Sequence, residues 1–229
     1  MRNNRVGEAT GRRFQLISTC SLGLLAATLV AAAGAAVADD GDIDNLVPSA
    51  RYSPHCNQIA SGDWNNATVC QTDNRDVYYY MDSGGDYELE QDDKDKVATA
   101  LQNEYVPTDL NIYYDSSPVF SGEGETDVVY QEGNNIPSTA AGITWCNDEA
   151  GGTTYECDQS YIRIRTGGAY NLRRSCHETG HAVGLLHGAN ASPSVGQLDS
   201  RLGCMRTPTD EISSGDLGGN QVYLINHHY

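Results

Sequence analysis

Positive charge is scarce in this sequence of 229 residues, which holds 14 Lys and Arg against 31 Asp and Glu, for a formal net charge of −17. An acidic excess of this size repels phosphate groups, so the composition excludes nucleic acid as a partner. The same charge favours solubility. Acidic side chains can also bind calcium, but acidity alone does not support a calcium site.

The sequence has only one long apolar run, residues 14–37, and it ends in the small-x-small pattern Ala36-Val37-Ala38. A basic start precedes the run, with Arg2, Arg5, Arg12 and Arg13. This layout predicts a secretory signal peptide over residues 1–38, and hence a secreted, extracellular protein without stable membrane insertion after cleavage. The alternative is a membrane anchor, because the run is long enough to span a bilayer. The cleavage pattern and the lack of a second apolar run favour the signal peptide.

Internal repeats and linkers are also missing from the rest of the chain. Cleavage after Ala38 leaves 191 residues, the size of one domain, with a formal charge of −20 because four basic residues and one acidic residue are removed. We predict a flexible acidic N-terminus over residues 39–50 and a single domain over residues 51–229. We expect a monomer.

Cysteine usage agrees with export. Cys20 lies in the predicted signal peptide, and an even number of cysteines in an exported chain predicts disulfides. Six cysteines allow 15 pairings, among which the sequence alone does not choose. We favour the sequential set, although metal ligation is the alternative for the last pair: Cys56–Cys70, Cys146–Cys157 and Cys176–Cys204.

Alternating and periodic apolar residues predict an α/β (α+β) domain. Helices are expected at 90–105, at 170–184 and from an N-cap at Ser214 to about 225. Five β-prone segments are predicted as strands, at residues 76–81, 110–114, 126–131, 142–146 and 160–166.

Residues 177–187 read HETGHAVGLLH. His177 and His181 are four apart on a predicted helix, so both imidazoles lie on one face and can reach one ion. Gly184 tolerates the turn that would bring His187 back as a third ligand. Glu178 can accept a proton from a metal-bound water without binding the metal. The alternative is an ordinary helix with exposed histidines, since HExxH alone occurs by chance.

This stretch resembles the metzincin zinc peptidases, whose signature is HExxHxxGxxH. The resemblance implies one catalytic Zn²⁺ on His177, His181 and His187, with Glu178 as general base. It also implies a methionine turn beneath the metal, for which Met205 is the candidate, although a lone buried methionine is more often ordinary core. Some branches of the family have a tyrosine two residues after that methionine, whereas this chain has Thr207.

For residues 75–229 the resemblance further implies a zincin-like catalytic domain: a twisted mixed five-stranded sheet, an active-site helix and a C-terminal helix. The fourth strand would be an antiparallel edge to which a peptide substrate adds, through the candidates Gly142, Ile143, Thr144 and Trp145. The alternative for this strand is a disulfide-tied hairpin arm. If the segments pack as in metzincins, a Cys176–Cys204 disulfide would tie the active-site helix to the methionine turn.

The expected activity is therefore that of a zinc-dependent endopeptidase, which hydrolyses internal peptide bonds of protein or peptide substrates. Two alternatives remain: a catalytically silent zinc-binding module on a protease fold, and a disulfide-rich surface protein in which the motif is incidental. The intact Glu178 favours catalysis over a silent module, because a site without activity could have lost its base.

Overall fold

The computed structural model describes residues 42–56, 68–122, 124–208 and 215–229. The predicted signal peptide at 1–38 and residues 39–41 of the predicted acidic N-terminus lie outside these ranges, so the structure does not bear on them. In the part that is described, no helix combines the length and the apolarity that a membrane crossing requires.

In the described part of the chain, six strands form one mixed sheet, in which only the pairing of β5 with β6 is antiparallel. From one edge inward, β5 pairs with β6, β6 with β4, β4 with β2, and β2 with β3, while the short β1 pairs with the beginning of β6. The strands are β1 (Gln71–Thr72), β2 (Asp76–Met81), β3 (Asn111–Tyr114), β4 (Val128–Glu132), β5 (Gly142–Glu149) and β6 (Glu156–Ile164).

The residues that the structure describes also form three α-helices: α1 (Gln91–Ala100), α2 (Leu172–Ala182) and α3 (Gly219–His228). A π-helical turn, Leu101–Tyr105, continues α1, and 3₁₀ turns lie at Gly85–Tyr87, Gly188–Asn190 and Ser200–Met205. Helix α2 packs against α1 and β5, so it lies between the sheet edge and the first helix. The α/β class and the mixed sheet are thereby confirmed.

Two details of the sequence prediction are wrong. The sheet has six strands rather than five, because β1 is only two residues long and too short to give an alternating pattern. The last helix begins at Gly219 rather than near Ser214, which lies outside the described residues. Residues 215–218 are not helical, and Gly218, the N-cap of the helix, has a φ of +82°.

The main hydrophobic core contains three tyrosines whose side chains are fully buried. Tyr105, Tyr130 and Tyr170 are each at most 1% exposed. Their hydroxyls find buried partners: Tyr105 donates to the carbonyl of Cys176 at 2.6 Å, Tyr130 pairs with the hydroxyl of Thr179 at 2.7 Å, and Tyr170 donates to the carbonyl of Gln131 at 2.8 Å. Burying these rings therefore leaves none of the three hydroxyls unpaired.

The six cysteines of the described chain form three disulfides. The pairs are Cys56–Cys70, Cys146–Cys157 and Cys176–Cys204, which confirms the sequential pairing. The first two bridges pack together with Tyr155, whereas the third joins α2 to the 3₁₀ turn Ser200–Met205. The second bridge links β5 to β6, so the disulfide-tied hairpin is present, and a substrate role for β5 stays a prediction.

The segment 42–50 differs from the loose N-terminus that we expected, because it is packed into the fold. Ile43, Leu46 and Val47 are each at most 6% exposed. Leu46 forms a β-bridge with Leu185, and Asp44 forms one with Ser192. The sequence did not predict this packing because the segment is acidic and has few apolar residues. Those residues are buried against a part of the chain about 140 residues further on.

We expect Leu46→Ala to lower the free energy of unfolding by about 2–5 kcal/mol, because it removes a buried side chain and leaves a cavity. Leu198→Ala is the matched control: Leu198 is 54% exposed, so its change should stay within about 0.5 kcal/mol. Urea denaturation followed by circular dichroism measures both. Equal effects of the two substitutions would contradict the packing of this segment.

Candidate metal centre

Three histidines meet at the C-terminal end of α2. His177 and His181 project from one face of the helix, one turn apart, with ring centroids separated by 4.8 Å. His187 follows the helix, and its Nε2 lies 3.0 Å from Nε2 of His177 and 3.1 Å from Nε2 of His181. The HExxHxxGxxH spacing thus brings the three predicted ligands together.

The return of His187 depends on the turn after α2. Gly184 has a φ of +91°, and a Cβ there would lie 2.8 Å from Cγ of Gln71, so both conformation and space require glycine. The N–H of Leu185 closes the turn on the carbonyl of Gly180 at 2.7 Å. The N-terminal segment then holds the chain, since Asn45 exchanges two hydrogen bonds with Leu186, each of 2.8 Å.

Two backbone carbonyls fix the orientation of the helical histidines. Nδ1 of His177 lies 2.7 Å from the carbonyl oxygen of Cys204, and Nδ1 of His181 lies 2.8 Å from that of Leu185. A carbonyl only accepts, so each Nδ1 carries the proton and each Nε2 presents a lone pair. This arrangement orients imidazole ligands in metalloproteins.

The cluster fits a metal ion. Three imidazole nitrogens about 2.0–2.1 Å from one ion in a tetrahedral site are about 3.3 Å from one another, close to the 3.0–3.1 Å seen here. Burial and the neighbouring His187 lower the pKa of His177 to about 3, and burial lowers the pKa of His181 and His187 as well. The rings are therefore neutral, which is the form that binds metal.

Glu178 lies beside this cluster and is 5% exposed. The Thr144 hydroxyl lies 2.8 Å from its Oε2 and 3.0 Å from its backbone carbonyl, so strand β5 holds both ends of the residue. Burial raises the pKa of Glu178 to about 7, while Thr144 and then Arg174 oppose the increase. A Cβ on Gly142 would lie 2.7 Å from Oε1, so this glycine leaves room for the carboxylate.

Two open cavities, of about 340 and 430 Å³, meet at these residues. His177, Glu178, His187 and Gly142 line both of them. The first continues along Ile143 and Thr144 of β5, and the second reaches Gln197, Thr207 and Pro208. A chain-like ligand could therefore extend in both directions from the histidine cluster.

Met205 lies fully buried beneath α2. Its Sδ occupies the space that a Cβ on Gly180 would need, and Gly180 lies directly before His181 on the helix. Cys204, next to it, contributes both the disulfide and the carbonyl that orients His177. The position suits a methionine turn, which stays a prediction.

The sequence did not indicate three contributors to this site. The sequence predicts Thr144 only as part of a substrate strand, and its bond to Glu178 follows from sheet packing that no motif encodes. Asn45 lay in the segment expected to be loose. The carbonyl of Leu185 is a backbone group, so its side chain gives no sign of the role.

Comparison with known proteins gives no family to which the chain can be assigned. No protein-family model matches the sequence, and none of the curated proteins is significantly similar to it.

We expect His181→Ala to lower the affinity for added Zn²⁺ by a hundredfold or more, since losing an outer-shell partner of a ligand already costs about 10–100-fold. Competition with a chromophoric chelator measures the affinity. His227→Ala is the control, because His227 is exposed and stacks on Tyr223. Unchanged affinity in His181→Ala would exclude this residue as a ligand.

Glu178 should also make the metal-free protein less stable at high pH. Its pKa rises from 4.5 to about 7 on folding, so the folded state binds the proton more tightly, and the stability penalty grows as pH rises from about 4.5 to about 7. Glu178→Gln removes this penalty. We expect its stability relative to the parent to increase by about 2–3 kcal/mol between pH 5 and pH 8.

Urea unfolding of both proteins in a chelator, at each pH, measures this difference. The comparison cancels the histidine contributions, which both proteins share. A stability difference that does not change with pH would show that the Glu178 carboxyl is not buried as described.

Proposed function

We propose that this chain is a secreted zinc-dependent endopeptidase of the metzincin type. The observation that carries the proposal is a cluster of three neutral imidazoles beside the buried carboxylate of Glu178. In this cluster, the Nε2 atoms of His177 and His181 both lie within 3.1 Å of Nε2 of His187. Together with the HExxHxxGxxH sequence, this is the donor set of a catalytic zinc site, which has three protein ligands and an open position.

His177, His181 and His187 would hold the ion. Zinc, when bound, would polarise a peptide carbonyl and lower the pKa of a water molecule toward about 7. The imidazole donors favour zinc over calcium or magnesium, which bind oxygen ligands. The carbonyls of Cys204 and Leu185 would keep the rings in position during turnover.

Glu178 would act as the general base and then as the general acid. Its carboxylate accepts a proton from the attacking water and later returns one to the leaving amine. The hydrogen bond from Thr144 fixes one oxygen, Oε2, which leaves Oε1 on the side of Gly142. Arg174 lies within electrostatic range of the carboxylate and favours its ionised form.

Cleavage inside a chain, rather than at its end, agrees with the two cavities that meet at the site. Strand β5 is paired on one side only, with β6, among the described residues. Its first residues, Gly142, Ile143 and Thr144, border the first cavity. A substrate could add to this edge as a further strand, with backbone hydrogen bonds supplying affinity that does not depend on side chains.

The metzincin assignment also rests on the order of elements and on Met205. Strand, helix, four strands, a helix with the histidines, a loop with the methionine and a final helix follow one another along β2 to α3. Thr207, which borders the second cavity, stands where some branches have a tyrosine. No tyrosine is therefore assigned to transition-state binding at that position.

Secretion is part of the proposal. The apolar run with its small-x-small end at residues 36–38 and the three disulfides favour an oxidising compartment. Protein or peptide substrates with basic segments would approach the strongly acidic chain most readily. The catalytically silent zinc module remains the competing function.

We expect Glu178→Gln to lower kcat/KM for casein by about 10²–10⁴-fold with little change in zinc content, because the base is lost and the ligands stay. Glu88→Gln, at an exposed residue, is the control with the same chemical change. Removing zinc with a chelator should abolish cleavage, and added Zn²⁺ should restore it.

Zinc is quantified in each sample by atomic emission. An active Glu178→Gln protein with bound zinc would exclude Glu178 as the base. A parent protein that holds zinc but cleaves neither casein nor a peptide library would favour the silent binding module.

A further inference from the structure

A second cluster of potential metal ligands lies away from the histidines, at the start of α1. Glu90 is the N-cap of this helix, Asp93 lies in its first turn, and Glu132 ends β4. One carboxylate oxygen from each lies within 4.8 Å of the other two. Oxygen ligands of one calcium ion, each 2.3–2.6 Å from it, are at most about 5 Å apart, so the spacing suits a shared cation.

Two of these carboxylates are buried, and each has one oxygen that lacks a hydrogen-bond partner among the described residues. Asp93 is 2% exposed and Glu132 is 5% exposed. Among the described residues, no hydrogen-bond donor reaches Oδ2 of Asp93 or Oε1 of Glu132. A buried ionised oxygen without a partner is expensive, and such groups in native proteins are normally hydrogen-bonded or bound to a metal.

The nearby lysine does not neutralise the cluster. Lys96 contacts Oδ1 of Asp93 at 3.1 Å and Asp92 at 2.6 Å, so it takes the other oxygen of Asp93. Lys96 therefore supplies one ammonium group against the four carboxyl groups of Glu90, Asp92, Asp93 and Glu132. Burial, then Glu90 and Asp93, raise the pKa of Glu132, even though a backbone hydrogen bond at Gly167 and then Lys96 oppose the increase.

We propose that Glu90, Asp93 and Glu132 form a calcium site that links the first turn of α1 to the end of β4. All three donors are oxygens, which suit a hard cation and not the zinc that imidazoles prefer. Calcium accepts irregular coordination with added water and backbone oxygens, whereas Mg²⁺ requires a near-ideal octahedron. This site is independent of the proposed peptidase activity.

The test is calcium binding and thermal unfolding of the full exported chain, with the histidine cluster left as purified. Equilibrium dialysis should find one Ca²⁺ per chain, with a Kd on the order of 10⁻⁴–10⁻³ M, as in extracellular calcium modules. Since 10 mM Ca²⁺ is about 10–100 times this Kd, we expect it to raise Tm by about 3–11 °C. Mg²⁺ at the same concentration should have a smaller effect.

Glu132→Gln should lose both the bound Ca²⁺ and the calcium-dependent rise in Tm. Without calcium it should be more stable than the parent, because one of the mutually repelling buried charges is gone. Asp93→Asn should behave in the same way, and it serves as the second variant if Glu132→Gln does not fold. Asp92→Asn is the matched control: it removes an equal charge one residue away, from a side chain that is 83% exposed.

Three results would overturn the proposal. A parent that binds no Ca²⁺ and shows no rise in Tm would mean that the carboxyls share a proton instead. Equal loss of binding in Asp92→Asn would mean a diffuse charge effect. Loss in Glu125→Gln, with binding retained in Glu132→Gln, would place the ion at Glu125, whose two buried carboxylate oxygens also lack hydrogen-bond partners among the described residues.

Discussion

Two hydrogen bonds from histidine rings to backbone carbonyls determine where the lone pairs of the cluster point. The carbonyl of Cys204 is held by a turn that the Cys176–Cys204 disulfide ties to α2. The carbonyl of Leu185 is held by the turn at Gly184 and by the N-terminal segment, through the Leu46–Leu185 bridge. Parts of the chain that are far apart in sequence thus together determine the tautomer and the orientation of the rings of His177 and His181. A metal site needs this, because a ligand that rotates freely loses entropy each time it binds.

The acidic composition has a structural consequence that net charge alone does not convey. With only two lysines, Lys94 and Lys96, in the whole chain, most buried carboxylates must find partners other than lysine. Glu178 is bonded by the Thr144 hydroxyl, whereas Oδ2 of Asp93 and Oε1 of Glu132 have no hydrogen-bond donor among the described residues. The first arrangement retains a base next to the histidines. The second leaves charge that a bound cation would neutralise.

The features that could be predicted from the sequence are those that depend on the spacing of nearby residues. The interval of four between His177 and His181, together with Gly184, placed the histidines correctly, and the strand at 76–81 has the predicted bounds. Prediction from the sequence failed for contacts between residues far apart in the chain. Leu46 packs against Leu185, and Thr144 donates a hydrogen bond to Glu178. The spacing of the acids at 90, 93 and 132 likewise does not indicate that they meet. Burial at those positions is decided by a helix and a strand that meet only in the folded state.

Helix α2 must bury one face and also adopt one particular rotational orientation about its own axis. Hydrogen bonds from the core tyrosines help to fix that orientation. Phenylalanine is rare in this chain, with 2 residues against 14 tyrosines. Tyr105 bonds the carbonyl of Cys176 and Tyr130 bonds the hydroxyl of Thr179, on either side of His177 and Glu178. Turning the helix by one residue, about 100°, would leave both buried hydroxyls unpaired, at about 1–3 kcal/mol each. Together with the Cys176–Cys204 disulfide, the hydroxyls therefore favour the one orientation in which the histidines and Glu178 face the same cavity.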